Sequence, residues 1–150
     1  MEVYTEFTMH MLTDYLIVGG LVDAQEPPPT IGTLLFVAEE FTIDPPIWLD
    51  YQRIPFREFA KAEPAKLLRA IEWLEPRVPK GRVLVCCRAG MGRSVSVAMA
   101  YLCCVEGRSY EDVLKLVMAR HPTATPLPNL RVAIEQVRQS RRIVHPVDPQ

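Results

Sequence analysis

Apolar and polar positions run along this chain in blocks, and the period of the blocks changes. Short unbroken apolar runs come first. Tyr15-Leu16-Ile17-Val18 ends at Gly19-Gly20 and predicts a strand over 15–18. Thr33-Leu34-Leu35-Phe36-Val37 predicts a second over 33–37. Tyr51-Gln52-Arg53-Ile54 predicts a weaker third over 51–54, stopped by Pro55. The period then lengthens. Leu67, Leu68, Ile71, Leu74 and Val78 recur at helical spacing, so a helix is predicted over 60–75. Val83-Leu84-Val85-Cys86 follows Gly81 and is the best strand signal in the chain. From Ser94 to Glu106 the sequence is apolar nearly all round, the mark of a buried helix, and Gly107 closes it. Ser109 with Asp112 resembles a capping box and opens a helix carrying Val113, Leu116 and Val117. Leu130, Ala133, Ile134 and Val137 predict a last helix over 128–142. Strands first, then strand alternating with helix, predicts an α/β fold: a central, mostly parallel twisted sheet of four to five strands flanked by helices.

Composition adds limits. The length, 150 residues, suits one domain, taken as 1–143 with a C-terminal tail over 144–150 that frays. The 14 prolines fall between the blocks: Pro27-Pro28-Pro29 and Pro45-Pro46 in loops, Pro64 near a helix start, Pro76 and Pro79 after its end, and Pro122, Pro126 and Pro128 in a connection. Seventeen basic residues against 18 acidic leave a net charge of −1, which removes the whole-molecule case for binding nucleic acid or an anionic membrane. The four cysteines form two adjacent pairs, Cys86-Cys87 and Cys103-Cys104. Neither pair has zinc-ligand spacing, and the pattern is not a secreted disulfide framework. Met1 to Glu6 shows no signal-peptide character, and the apolar stretch from Ser94 to Val105 is too short to span a bilayer. These features predict a reduced, cytoplasmic protein with free thiols; a monomer without cofactor is the accompanying expectation. His10, His121 and His145 are scattered, and nothing makes them ligands. Cys103-Cys104 is expected to pack as small apolar filler. Arg131, Arg138, Arg141 and Arg142 are expected to form a solvated helix face.

The chemistry concentrates in Cys86-Cys87-Arg88-Ala89-Gly90-Met91-Gly92-Arg93-Ser94, between the best strand and the buried helix. A glycine-containing loop at a helix N-terminus can turn several backbone N–H groups toward one point and make an anion nest. Gly90 and Gly92 permit the backbone angles and the close approach. Positive potential there favours the thiolate of Cys87. The planar fork of Arg93 suits two oxygens of a phosphate, and Ser94 places a hydroxyl near the sulfur. The predicted phosphate-binding set is Arg88, Ala89, Gly90, Met91, Gly92 and Arg93.

Cys87-x5-Arg93-Ser94, with Gly90 third after the cysteine, resembles the phosphate-binding loop of cysteine-based protein tyrosine phosphatases. The chain length, the loop position and the downstream helices resemble the dual-specificity branch over roughly residues 12–140. Tyr51-Gln52-Arg53-Ile54-Pro55, Ser109-Tyr110-Glu111-Asp112-Val113 and Pro128-Asn129-Leu130 are similar to that family's segments before the general-acid loop and at the starts of the last two helices. A rhodanese loop has four residues between Cys and Arg, not five. Low-molecular-weight tyrosine phosphatases and related arsenate reductases carry their loop near the N-terminus. The resemblance implies a phosphotyrosine protein phosphatase-like fold and a two-step phosphoryl transfer: Cys87 as nucleophile, the loop amides and Arg93 on the phosphate oxygens, Ser94 stabilising the departing thiolate. The mechanism that the resemblance implies needs no metal. The implied substrates are phosphorylated proteins or peptides. Two alternatives stand beside them: a phosphoinositide phosphatase, hence a phospholipid substrate, and a pseudophosphatase that binds phospho-ligands.

Two positions depart from the family pattern. Cys86 stands where the family usually has histidine, and is read as filler at the strand end. The general acid, usually Asp, is matched by Glu58; Asp50 and Glu63 are weaker candidates. Arg88 is read either as a contact for a second phosphate or an acidic flank, or as a solvated side chain. Asn129 is read as a helix cap rather than a buttress of the loop.

Overall fold

The computed structural model describes residues 9–144; His145 and the tail over 145–150 lie outside the described residues. The strands are β1 (His10–Met11), β2 (Leu16–Gly19), β3 (Thr33–Ala38), β4 (Asp50–Phe56) and β5 (Val83–Cys86). They form one sheet in the order β1-β2-β5-β3-β4. Only the β1–β2 pairing is antiparallel; β2–β5, β5–β3 and β3–β4 are parallel. The predicted mostly parallel sheet is therefore the observed one, with β5 at its centre. Strands β2 and β5 are buried at every position, and β3 at all but its first residue, as parallel strands covered on both faces require.

Strand β4 corrects one expectation. It runs through Pro55 to Phe56 rather than stopping before the proline. As an edge strand it pairs only with β3, so the N–H that proline lacks has no ladder partner to lose. The register with β3 shifts between Phe36 and Ala38, where the strand accommodates it.

The helices are α1 (Leu21–Gln25), α2 (Pro64–Leu74), α3 (Arg93–Cys104), α4 (Tyr110–Arg120) and α5 (Leu130–Val144). Helix α2 starts at Pro64 rather than residue 60, because proline's fixed φ and missing N–H suit the first helical position. It buries Leu67, Ala70, Ile71 and Leu74, one stripe at i, i+3, i+4 and i+7. Helix α3 is buried from Arg93 to Cys103, and it packs on β2, β5 and β3 with α2, α4 and α5 around it. Truncating Met99 or Leu102 to alanine in this surround costs roughly 2–5 kcal/mol. Gly107, at φ +73°, turns the chain after α3 in the left-handed region that favours glycine. The Ser109 hydroxyl accepts from the Asp112 N–H, so the predicted cap of α4 is present.

The α5 arginines form the expected solvated face only in part: Arg131 and Arg142 are exposed, while Arg138 and Arg141 are partly buried. Arg138 donates to the carbonyls of Cys103 and Arg108, Arg141 pairs with Glu75 at 3.0 Å, and Arg131 pairs with Glu111. Arg131, Arg138 and Arg141 tie α5 to the end of α2, to α4, and to the last turn of α3 and the segment after it. Among the described residues, no helix is long and apolar enough to cross a membrane.

Candidate active site

A parallel sheet places the carboxyl ends of its strands along one edge, where α/β folds bind ligands. Four segments meet there. Gly19-Gly20 ends β2, Glu40 lies two residues past β3, Glu58 two residues past β4, and Cys87 directly follows β5. The sheet order thus gathers residues that are far apart in sequence.

The segment from Cys87 to Arg93 is held from outside by its carbonyls. Arg88 C=O accepts from the Leu21 N–H at 2.9 Å, and Met91 C=O from the Thr125 N–H at 2.8 Å. Gly90 C=O lies 2.8 Å from His121 Nε2, and Gly92 C=O accepts from the Ser96 N–H. The N–H groups of Arg88, Ala89, Gly90, Met91 and Gly92 make no hydrogen bond among the described residues. Across a trans peptide the C=O and the next N–H point in opposite directions. Carbonyls anchored outward therefore leave a set of amides aimed the other way, as the predicted anion nest requires. Gly90 is at φ +74°, and a Cβ there would sit 2.8 Å from the carbonyl carbon of Gly19, so the loop's approach to the β2 turn demands glycine.

Cys87 and Arg93 are both buried, and Cys87 Sγ lies 3.3 Å from Ser94 Oγ. The Arg93 Nη1 and Nη2 groups grip both carboxylate oxygens of Glu40, at 2.6 and 2.8 Å, and Nη1 also donates to Phe56 C=O. This commits one edge of the guanidinium and leaves Nε–H and one Nη2 hydrogen, the other forked edge, for an oxyanion. Burial opposes the charge on Arg93, but Glu40 outweighs it and the pKa stands above the usual arginine value. The hydrogen bond from Arg93 holds the Glu40 carboxyl down at about 2. Glu58 Oε1 lies 3.6 Å from Arg93 Nη2 and 3.8 Å from Arg88 Nη1.

A cleft of about 300 Å³ opens over Cys87 and is lined by Ala89, Met91, Gly92, Arg93, Glu58 and Phe59 together with the 125–128 connection. Its wall is largely apolar. Among the described residues, Arg93 is the sole basic side chain lining it; Arg88 points to Glu58, with 61% of its side chain exposed, and does not line it. Asp50 pairs with Arg77 and Glu63 with Lys66, so neither reaches the cleft. Asn129 immediately precedes α5, its carbonyl accepts from Ala133 N–H, and its side chain makes no hydrogen bond to the loop. Cys86 is fully buried on β5, and burial pushes its thiol pKa well up, next helped by Asp23 and Cys87. That inert state matches the filler reading.

Two residues of this site carry no sequence motif. Glu40 was detectable only as an acidic residue just beyond a buried strand. His121, read as scattered, is buried beneath the loop.

A profile of the dual specificity phosphatase catalytic domain matches residues 49–148. The chain belongs to that family. Dual specificity protein phosphatase 15 of Rattus norvegicus is 38% identical over 60 residues, which cover 40% of this chain and 25% of that protein, so the match spans about a quarter of the curated relative's length. Among solved structures, a mouse putative dual specificity phosphatase complexed with zinc tungstate superposes at a TM-score of 0.75, 21% identical, covering 96% of this chain and 94% of that one. PTPMT1 in complex with PI(5)P superposes at 0.74 with 14% identity, covering 91% and 97%. The superpositions show that the five-stranded fold is shared with these phosphatase structures.

Proposed function

We propose that this dual-specificity phosphatase domain hydrolyses phosphotyrosine and phosphoserine/threonine in proteins through a cysteinyl-phosphate. One observation carries the reading: the Cys87 thiol, backed by the buried Ser94 hydroxyl, shares one cleft with Arg93, Glu58 and a loop whose amide hydrogens are unused. In the first step the Cys87 thiolate attacks phosphorus, the S–P bond forms, and the P–O bond to the leaving group breaks. Glu58 gives its proton to the leaving oxygen. In the second step water attacks phosphorus, Glu58 takes the water's proton, and the S–P bond breaks to release phosphate. Arg93 and the loop amides hold the equatorial oxygens throughout. The Ser94 hydroxyl donates to the departing sulfur.

The apolar cleft wall supports a phosphorylated side chain over a phosphoinositide head group. A polyphosphorylated inositol calls for further basic residues, and the cleft offers Arg93 alone. Four cysteines, none in a disulfide, support a reducing cytoplasmic setting, and the domain acts in this scheme as a monomer.

Turnover of p-nitrophenyl phosphate by wild type and Cys87→Ser tests the reading. Wild-type turnover that vanadate inhibits and Cys87→Ser abolishes is the expected result. Phosphopeptide binding without Cys87-dependent turnover would replace the enzyme with a phospho-ligand binding module. A phosphopeptide and phospholipid panel then ranks the substrates.

A further inference from the structure

We propose that His121 is a positioning residue for the phosphate-binding loop: its Nε2–H holds the Gly90 carbonyl outward and thereby aims the Met91 N–H at the substrate's phosphoryl oxygens. The inference rests on the phosphatase reading above.

Of the four outward contacts on loop carbonyls, three come from backbone N–H groups and one from a side chain, that of His121. His121 directly follows α4, is 1% exposed, and reaches across to the loop. A carbonyl oxygen only accepts, so a 2.8 Å approach to Gly90 C=O requires the proton on Nε2. Nδ1 is then a bare acceptor, and it has no partner among the described residues. The ring is fixed from the other side as well. His10 of β1 stacks on it, with ring centroids 3.7 Å apart and planes within 8°. This clamp acts at the peptide that needs it. Gly90 is at positive φ, where glycine moves most freely, so the Gly90–Met91 peptide is the one least fixed by its own backbone. A buried hydrogen bond at its carbonyl removes that freedom before substrate arrives. Among the described residues, the fully buried Cys86 at the strand end makes no side-chain hydrogen bond that could take its place.

The test is direct calorimetric binding of tungstate to wild type, His121→Leu and His121→Gln, alongside kcat and KM for p-nitrophenyl phosphate. The glutamine amide nitrogen can stand near the place of Nε2 and donate; leucine cannot. The expectation is about tenfold weaker tungstate binding and an equal fall in kcat/KM for His121→Leu, the scale of one buried hydrogen bond. His121→Gln recovers most of both. Leucine and glutamine variants that bind alike, or a leucine variant that binds tungstate as wild type does, overturn the role of His121 while leaving the phosphatase reading intact. A wild type that binds tungstate weakly or not at all overturns both. A measurement on wild type needs no variant to fold: the imidazole 15N–1H correlation of His121. A proton held on Nε2 that shifts when phosphate binds supports the role, and a proton on Nδ1 overturns it.

Discussion

The two sides of the cleft are built differently. On one side, the loop from Cys87 to Arg93 is anchored at four carbonyls and its reactive side chains are buried. On the other, the segment after β4 carries Glu58 and Phe59 with little to hold it. Glu58 touches the loop through two long ion pairs, and Phe59 is 80% exposed at φ +62°, the left-handed region that a bulky side chain seldom adopts. In the proposed mechanism the half that binds the anion is preorganised, while the half assigned to proton transfer sits on a strained, exposed turn of the kind that moves with substrate. Positioning a phosphate demands fixed dipoles; delivering a proton to varied leaving groups does not.

Substitutions can break this contrast. The largest effect after loss of Cys87 is expected for Arg93→Lys, which replaces a fork gripping Glu40 and phosphate together by a single ammonium. A fall in kcat/KM of roughly 10²–10³ is expected for an aryl phosphate. Retention of wild-type kinetics by the lysine variant would mean that the fork does not hold the oxyanion. Glu58→Gln comes next. It lowers kcat at least about tenfold on a peptide or alkyl phosphate and less on p-nitrophenyl phosphate, whose leaving group needs no proton. Equal rates for mutant and wild type on both substrates would remove Glu58 from the proton transfer.

Glu40→Gln probes the rigid side. It keeps the shape and removes the charge, so vanadate inhibition weakens by about tenfold and the melting temperature drops. Because its folded pKa, about 2, lies below the ordinary 4.5, the Glu40–Arg93 pair contributes stability that is complete above pH 4.5 and lost as pH falls through about 2. His121 has the same sign at higher pH. Burial lowers its pKa from 6.5, and the Gly90 carbonyl opposes this without overcoming it. Stability is therefore complete above pH 6.5 and declines below it as the unfolded state takes up a proton. Acid melts of Glu40→Gln and His121→Gln separate the two windows. The smallest effect belongs to Phe59→Gly, which relieves a backbone strain of order 1 kcal/mol and raises KM for aryl phosphates by about threefold. A large loss of kcat in this variant would show the flexible side to be as tightly specified as the loop.

The same division explains what the sequence disclosed. Strand β5 and the loop were legible because their signals are local: an apolar run, two glycines and a fixed Cys-to-Arg spacing. Glu58 was singled out only through the family resemblance, by its position after Ile54-Pro55, and the structure places it at the cleft. Glu40 and His121 were not legible, since each acts across the sheet edge or beneath the loop, and only the strand order brings them in. The two-residue β1 and five-residue α1 were too short to show a period, although β1 carries the His10 ring and α1 donates to Arg88. Arg138 and Arg141 misled because their partners, Glu75 and the carbonyls of Cys103 and Arg108, are distant in sequence.

In the proposed mechanism Cys87 carries the phosphoryl group between two steps. Mass spectrometry of enzyme quenched rapidly during turnover of an aryl phosphate tests it directly, most sensitively in Glu58→Gln, where the second step also slows. One added phosphoryl group is expected on the peptide containing Cys87, absent from Cys87→Ser. Turnover with no phosphoryl group on that peptide, or undiminished turnover in Cys87→Ser, would contradict it.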